Sequence, residues 1–115
     1  MRFMIMFKAD GDNEAAGPAC FLLPEMGRFI DQLRDDGVLL ATEGLQPSSS
    51  NAARVRRSGG KVTHTDGPFA EAKELVAGFV VVDVPSKDAA VELTERFLAI
   101  AGDANAEVRE VIERH

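Results

Sequence analysis

The run Leu75-Val76-Ala77-Gly78-Phe79-Val80-Val81-Val82-Asp83-Val84 constrains the fold of this chain more than any other stretch. It is short, rich in β-branched and aromatic residues, and reads as a strand. Strict alternation puts Leu75, Ala77, Phe79 and Val81 on one face and Val76, Val80, Val82 and Val84 on the other, so both faces are apolar. Arg2 to Ala9 repeats the pattern, with Phe3, Ile5 and Phe7 opposite Met4 and Met6. A sheet covered by helices on one side should be polar on the other, and here that expectation fails. Leaving several such side chains wet would forfeit roughly 1.5–3 kcal/mol each. It would also leave an apolar patch of the kind that marks an interface.

The remaining elements follow from periodicity and punctuation. Residues 11 to 19 are a polar connection, and FLLPEMGRFIDQLRDDG is a helix with Pro24 in its first turn. Met26, Phe29, Ile30 and Leu33 form its buried stripe, and Gly37 stops it. Residues 38 to 45 are a second strand and 46 to 52 a loop. ARVRRSGGKVTHT is expected to be a β-hairpin turning at Gly59-Gly60, where paired glycines supply the positive φ angles of a tight turn. After the corner at Asp66-Gly67-Pro68-Phe69 and the apolar strand, Ser86 caps a second helix that Gly102 closes. Its stripe is Ala90, Leu93, Phe97, Ile100 and Ala101, and residues 107 to 113 form a last, half-charged edge strand.

The order β–α–β–hairpin–β–α–β predicts an α+β, ferredoxin-like sandwich: an antiparallel sheet, both helices on one face, and an inserted β-hairpin. The two helices cover one side only. The economical cover for the other is a second copy of the sheet, giving a homodimer built as a dimeric α/β barrel. The alternative is a flattened monomer with the hairpin folded across the open face.

At 115 residues the chain has room for one domain, residues 1–115. Thirteen basic against 19 acidic side chains, a net of −6, argue for solubility and against nucleic acid as a partner. The one cysteine, Cys20, excludes an internal disulfide and reads as buried rather than nucleophilic. No Cys and His pairs stand at metal-ligand spacing. The start MRFMIMFKADGD reads as a strand rather than a signal peptide, and no apolar run spans a bilayer, so a cytoplasmic protein away from membranes is expected.

DGPFAEAKE before AGFVVVDV, with TEGLQPSSSNAARVR and SGGKVTHT ahead of it, resembles the YCII-related family, in particular its DGPF branch. The likeness runs from MRFMIMFKA to EVREV and is most specific at Asp66 to Glu71; Ala72 stands where many relatives have Thr. The resemblance implies the dimeric barrel that the strand argument reaches independently. It also implies kinship in fold with small cofactor-free isomerases, lyases and monooxygenases, and for some members a sigma-factor partner. A better-studied branch pairs a His near the start of the first helix with an Asp. Here that stretch is LPEMGRF, with Glu25 and Met26 and no histidine, while Asp35 stands where the Asp would match.

A two-residue turn at Gly59-Gly60 sets Val62 opposite Arg57, His64 opposite Val55 and Asp66 beside Ala53. The more apolar face, carrying His64 and Asp66, is expected to turn towards the cavity. Asp66 has two readings: a turn residue that bonds its own backbone, or a pocket carboxylate acting as general base or acid. His64 is an ordinary strand histidine or its proton-sharing partner. Glu43, late in an apolar strand, is a second site carboxylate or a salt-bridge partner of Arg54 or Arg56. Arg54 and Arg56 are a solvated face or an anion clamp, with Gly67, Pro68 and Phe69 shaping the pocket. Ser48-Ser49-Ser50 reads as a mobile loop, and Glu71, Lys73 and Glu74 as a solvated turn.

Two functional readings follow. The first is an isomerase or lyase without metal or cofactor, moving protons on a small anionic metabolite. The second is a non-catalytic small-molecule-binding or protein-interaction module. A carboxylate desolvated in a closed cavity would favour the first. A filled core with an apolar exterior would favour the second.

Overall fold

The computed structural model describes residues 1–9, 21–72, 74–102 and 104–114. The 11–19 connection, Cys20, Lys73 and His115 lie outside the described residues or, for the connection, wholly within the excluded stretch. The elements are β1 (Arg2–Ala9), α1 (Pro24–Asp35), β2 (Leu39–Gly44), β3 (Ala53–Ser58), β4 (Lys61–Asp66), β5 (Leu75–Asp83), α2 (Lys87–Ala101) and β6 (Asn105–Glu110). Four strands form one antiparallel sheet in the order β2-β5-β1-β6, and β3 pairs with β4 in a separate two-stranded sheet. The architecture is α+β, with two helices and antiparallel sheets, consistent with a ferredoxin-like fold.

Each helix starts and stops where local chemistry dictates. Pro24 opens α1, where its missing N–H costs nothing. Gly37, at φ +77°, ends it: the Gly37 N–H donates to the Arg34 carbonyl and the Val38 N–H to the Leu33 carbonyl. Those paired bonds satisfy carbonyls that the helix itself leaves open. At α2 the Ser86 Oγ accepts the Ala89 N–H at 3.1 Å.

Phe3, Ile5 and Phe7 of β1, Val80 and Val82 of β5, Met26, Phe29, Ile30 and Leu33 of α1, and Ala90, Leu93 and Phe97 of α2 share one core. Ile100 and Ala101 pack at its margin, half-buried. Thr94 enters the buried side of α2 by donating its hydroxyl to the Ala90 carbonyl.

Two assignments from strict alternation are corrected. A bulge between Phe7 and Lys8 breaks the β1–β5 register, so Phe7 faces Gly78 and Lys8 faces Val76. Ala77 is therefore buried and Val76 is 42% exposed, the reverse of the simple pattern. Met4 and Met6 stand half-buried on the second face of the sheet, opposite Phe3, Ile5 and Phe7 and outside the core.

A notch in the sheet is made by glycine. Gly44 and Gly78 lie opposite one another on β2 and β5. The Phe21 ring occupies the space where their side chains would stand, and meets Phe7 edge-on at 5.9 Å. β6 begins at Asn105, two residues before the expected start, because its register is set by β1, with Asn105 opposite Lys8.

Candidate functional site

The β3–β4 ribbon turns on Gly59 and Gly60, at φ +58° and +78°. Its register places Val55 opposite His64, Arg57 opposite Val62 and Ala53 opposite Asp66. These are the pairings that the two-glycine turn predicts. Every residue from Ala53 to Asp66 is exposed, so among the described residues neither face of the ribbon is buried.

Below the ribbon, the Asp66–Phe69 corner is tied at several points. The Gly67 N–H donates to the Ala52 carbonyl at 3.0 Å, and the Phe69 N–H donates to the Ser48 Oγ at 2.8 Å. Gly67 joins Pro68 through a cis peptide, and any Cβ at Gly67 would collide with the Ser48 carbonyl oxygen. Ser48 is thus buried and bonded rather than part of a mobile loop. A serine triplet in a polar loop gives no sign of this, since its partner lies 21 residues away.

Phe69 anchors the corner, buried beneath the Arg54 guanidinium at 4.1 Å from the ring centroid. Arg54 also pairs with Glu71 at 3.1 Å, so Glu71 is more than a solvated turn residue. A hydrogen bond to its own backbone amide, and then the Arg54 guanidinium, hold the Glu71 carboxyl below the usual carboxylate range. Arg54 is committed twice, to a ring and to a carboxylate. Arg56 makes no ion pair among the described residues.

Asp66 and Gly67, with Ser48, Ser49, Asn51, Ala52 and Ala53, line a cleft of about 420 Å³. Asn51 holds a left-handed conformation there, φ +60°. The cleft offers a carboxylate, an amide and hydroxyls, a set suited to holding an oxygen-rich ligand by hydrogen bonds. His64 shares the ribbon face of Asp66 but is not among the cleft's lining residues. Asp66, His64 and Glu43 are all exposed.

Glu43 lies elsewhere, on the second face of the four-stranded sheet. There the register sets Glu43 opposite Phe79, Phe79 opposite Met6 and Met6 opposite Glu107, while Ala41, Val81, Met4 and Arg109 form the next row. The expected pairing of Glu43 with Arg54 or Arg56 does not form: Arg54 turns to Glu71, and Glu43 makes no ion pair among the described residues. At the end of this face sits a cluster that the sequence pattern did not single out. Lys8, 17% exposed, bonds Glu107 at 3.1 Å and Glu74 at 3.4 Å. The Glu107 bond raises the Lys8 ammonium above its usual range, burial opposes that shift, and Glu74 adds to it. A lone lysine late in an apolar strand, with glutamates distant in sequence, was the signal available.

Met26 is buried in the core, and Glu25 and Asp35 are exposed on α1. Among the described residues no helix is long and apolar enough to cross a membrane, and no three His, Cys, Asp or Glu side chains gather as a metal site.

Comparison with known proteins places the chain. An uncharacterized protein from Rhizobium meliloti (strain 1021) is 46% identical over 41 residues, a match covering 36% of this chain and 33% of that protein. The match thus spans about a third of that relative's length. The family model of the YCII-related domain matches residues 1–114, taking in both helices and all six strands described above, and the chain belongs to the YCII-related family.

Proposed function

We propose that this protein is a small-molecule-binding module that works as a homodimer, two sheets facing each other as a dimeric barrel of the DGPF type. The observation that carries the reading is the second face of the sheet. Met4, Met6, Phe79 and Val81 stand there half-buried, outside the core, beside the exposed Leu40 and Val76. Among the described residues no buried side-chain polar atom lacks a partner. Apolar surface of this kind is stabilised by a partner, and a second copy presents the matching surface. The ligand site is the Asp66 cleft, with the β3–β4 hairpin as an insertion that carries it. Its hydroxyl, amide and carboxylate lining suits an oxygenated metabolite.

A second reading, acid/base isomerisation or lysis, is favoured by one feature: Asp66 lines that cleft. In this reading Asp66 is general base or acid, acting once a second subunit excludes water from the cleft. His64 on the same ribbon face is its proton partner.

Sedimentation velocity across a concentration series tests the dimer; a single-subunit species at tens of micromolar, in order of magnitude typical of weak association, would refute it. A metabolite screen by thermal shift, repeated on Asp66→Asn, tests the site. Ligand stabilisation in the parent that vanishes in Asp66→Asn, with the dimer intact, supports binding at the cleft. Turnover lost in Asp66→Asn while ligand binding persists would decide for catalysis.

A further inference from the structure

The ribbon poses a physical problem that the described residues do not solve. A two-stranded sheet alone is marginal in water, yet every residue of β3 and β4 is exposed, including Val55 at 62% and Val62 at 51%. Its charge is also opposite to the rest. Residues 53–66 carry Arg54, Arg56, Arg57 and Lys61 against Asp66 alone, in a chain of net charge −6, so the body is more acidic than the whole.

The body holds a complementary strip. On the open sheet face, Glu43 flanks Phe79 and Met6 in one cross-strand row, and it makes no ion pair among the described residues. On the ribbon, Val55, Arg57, Val62 and His64 share one face by direct pairing and alternation. Apolar residues flanked by a cation on one surface meet apolar residues flanked by a carboxylate on the other. Among the described residues the ribbon valines stay exposed, and neither Arg57 nor Glu43 makes an ion pair.

We propose that the β3–β4 ribbon is a docking arm that lies across a second copy of this chain, with Val55 and Val62 against the partner's Phe79 and Met6 and Arg57 paired with the partner's Glu43. The inference rests on the homodimer proposed above and adds to it. A twofold axis makes the contact twice, and each sheet face receives the other copy's arm. The exposed valines are covered, and the acidic bodies are held together by basic arms rather than repelling one another.

The experiment is a charge swap read by dimer dissociation constant in sedimentation equilibrium, with circular dichroism to confirm folding. Arg57→Glu and Glu43→Arg each weaken the dimer by roughly tenfold or more, and the double variant recovers most of the loss. Both sites are exposed, and Arg57→Ala, with a smaller loss in the same direction, serves if a swap impairs folding. Dimers of unchanged affinity in Arg57→Glu, or a double variant no better than the worse single one, overturn the arm while leaving the homodimer standing. A parent protein that is itself monomeric overturns both. Titration with a fluorescent single-stranded oligonucleotide provides the remaining arm: binding that Arg57→Glu abolishes without change in dimer affinity would assign the ribbon to nucleic acid and overturn the proposal.

Discussion

Phe97 and Phe79 carry the same side chain on opposite sides of one sheet, and truncating each to alanine should give losses of different kinds. Phe97 is 1% exposed and sits edge-on to Phe29 at 4.7 Å and to Phe7 at 5.7 Å. Emptying that position costs about 3–5 kcal/mol, and the loss of two ring pairs puts the value towards the upper end. A chain of this length has a total stability on the order of 6–17 kcal/mol, so Phe97→Ala should fold but melt roughly 15 °C or more below the parent. Phe79 stands half-buried on the second face. Within one subunit its truncation removes only part of a ring's burial, about 1 kcal/mol. The larger effect of Phe79→Ala should appear as weakened self-association. Urea denaturation at two protein concentrations separates the cases, because the stability of a dimer depends on concentration and that of a core does not. Phe97→Ala should lower the midpoint equally at both. Phe79→Ala should remove most of the concentration dependence that the proposed homodimer gives the parent. A Phe97→Ala loss under about 2 kcal/mol, or equal and concentration-independent losses for the two, would refute the assignment of inner and outer faces.

Three further outcomes are expected. Gly78→Ala places a methyl group where the Phe21 ring lies, and should destabilise by about 1–3 kcal/mol in urea melts, with partial recovery when Phe21→Ala is added. Ser48→Ala leaves the Phe69 N–H without its acceptor and should cost about 1–3 kcal/mol, again by urea melt, with little change in helix content by circular dichroism. Glu71 has a folded pKa below its unfolded one, so its contribution is present above the unfolded value near pH ~4.3 and is lost as pH falls through the folded value. Fluorine or carboxyl NMR should therefore show the Arg54–Glu71 corner loosening only below that range, and Glu71→Gln should flatten the response.

Much of the fold was legible because its signals are local. The stripe Met26, Phe29, Ile30 and Leu33, the Gly37 stop, the Ser86 cap and the Gly59-Gly60 turn each need only neighbouring residues, and each is found where the pattern puts it. The errors arose where one element's placement depends on another. The bulge opposite Phe7 and Lys8 inverts Val76 and Ala77, since a period of two does not report that β5 carries one residue, Ala77, with no partner on β1. The candidate site was less legible for the same reason. Asp66 and the Gly67–Phe69 corner could be read from their turn chemistry, but Ser48 becomes a structural acceptor only through a partner across the loop. Glu43 and the ribbon arginines have compatible charges, and charge alone could not show that the chain holds them on different sheets.

Phe21 resting on Gly44 and Gly78 carries a consequence for descent as well as for stability. The ring and the two bare backbone positions are one packing unit. A lineage that acquires a methyl group at either strand position must first shrink the aromatic residue, and one that loses the aromatic residue opens a hollow that larger strand residues can then fill. Substitutions at these three positions should therefore arrive in a fixed sequence, ring before methyl, across descendants of this chain.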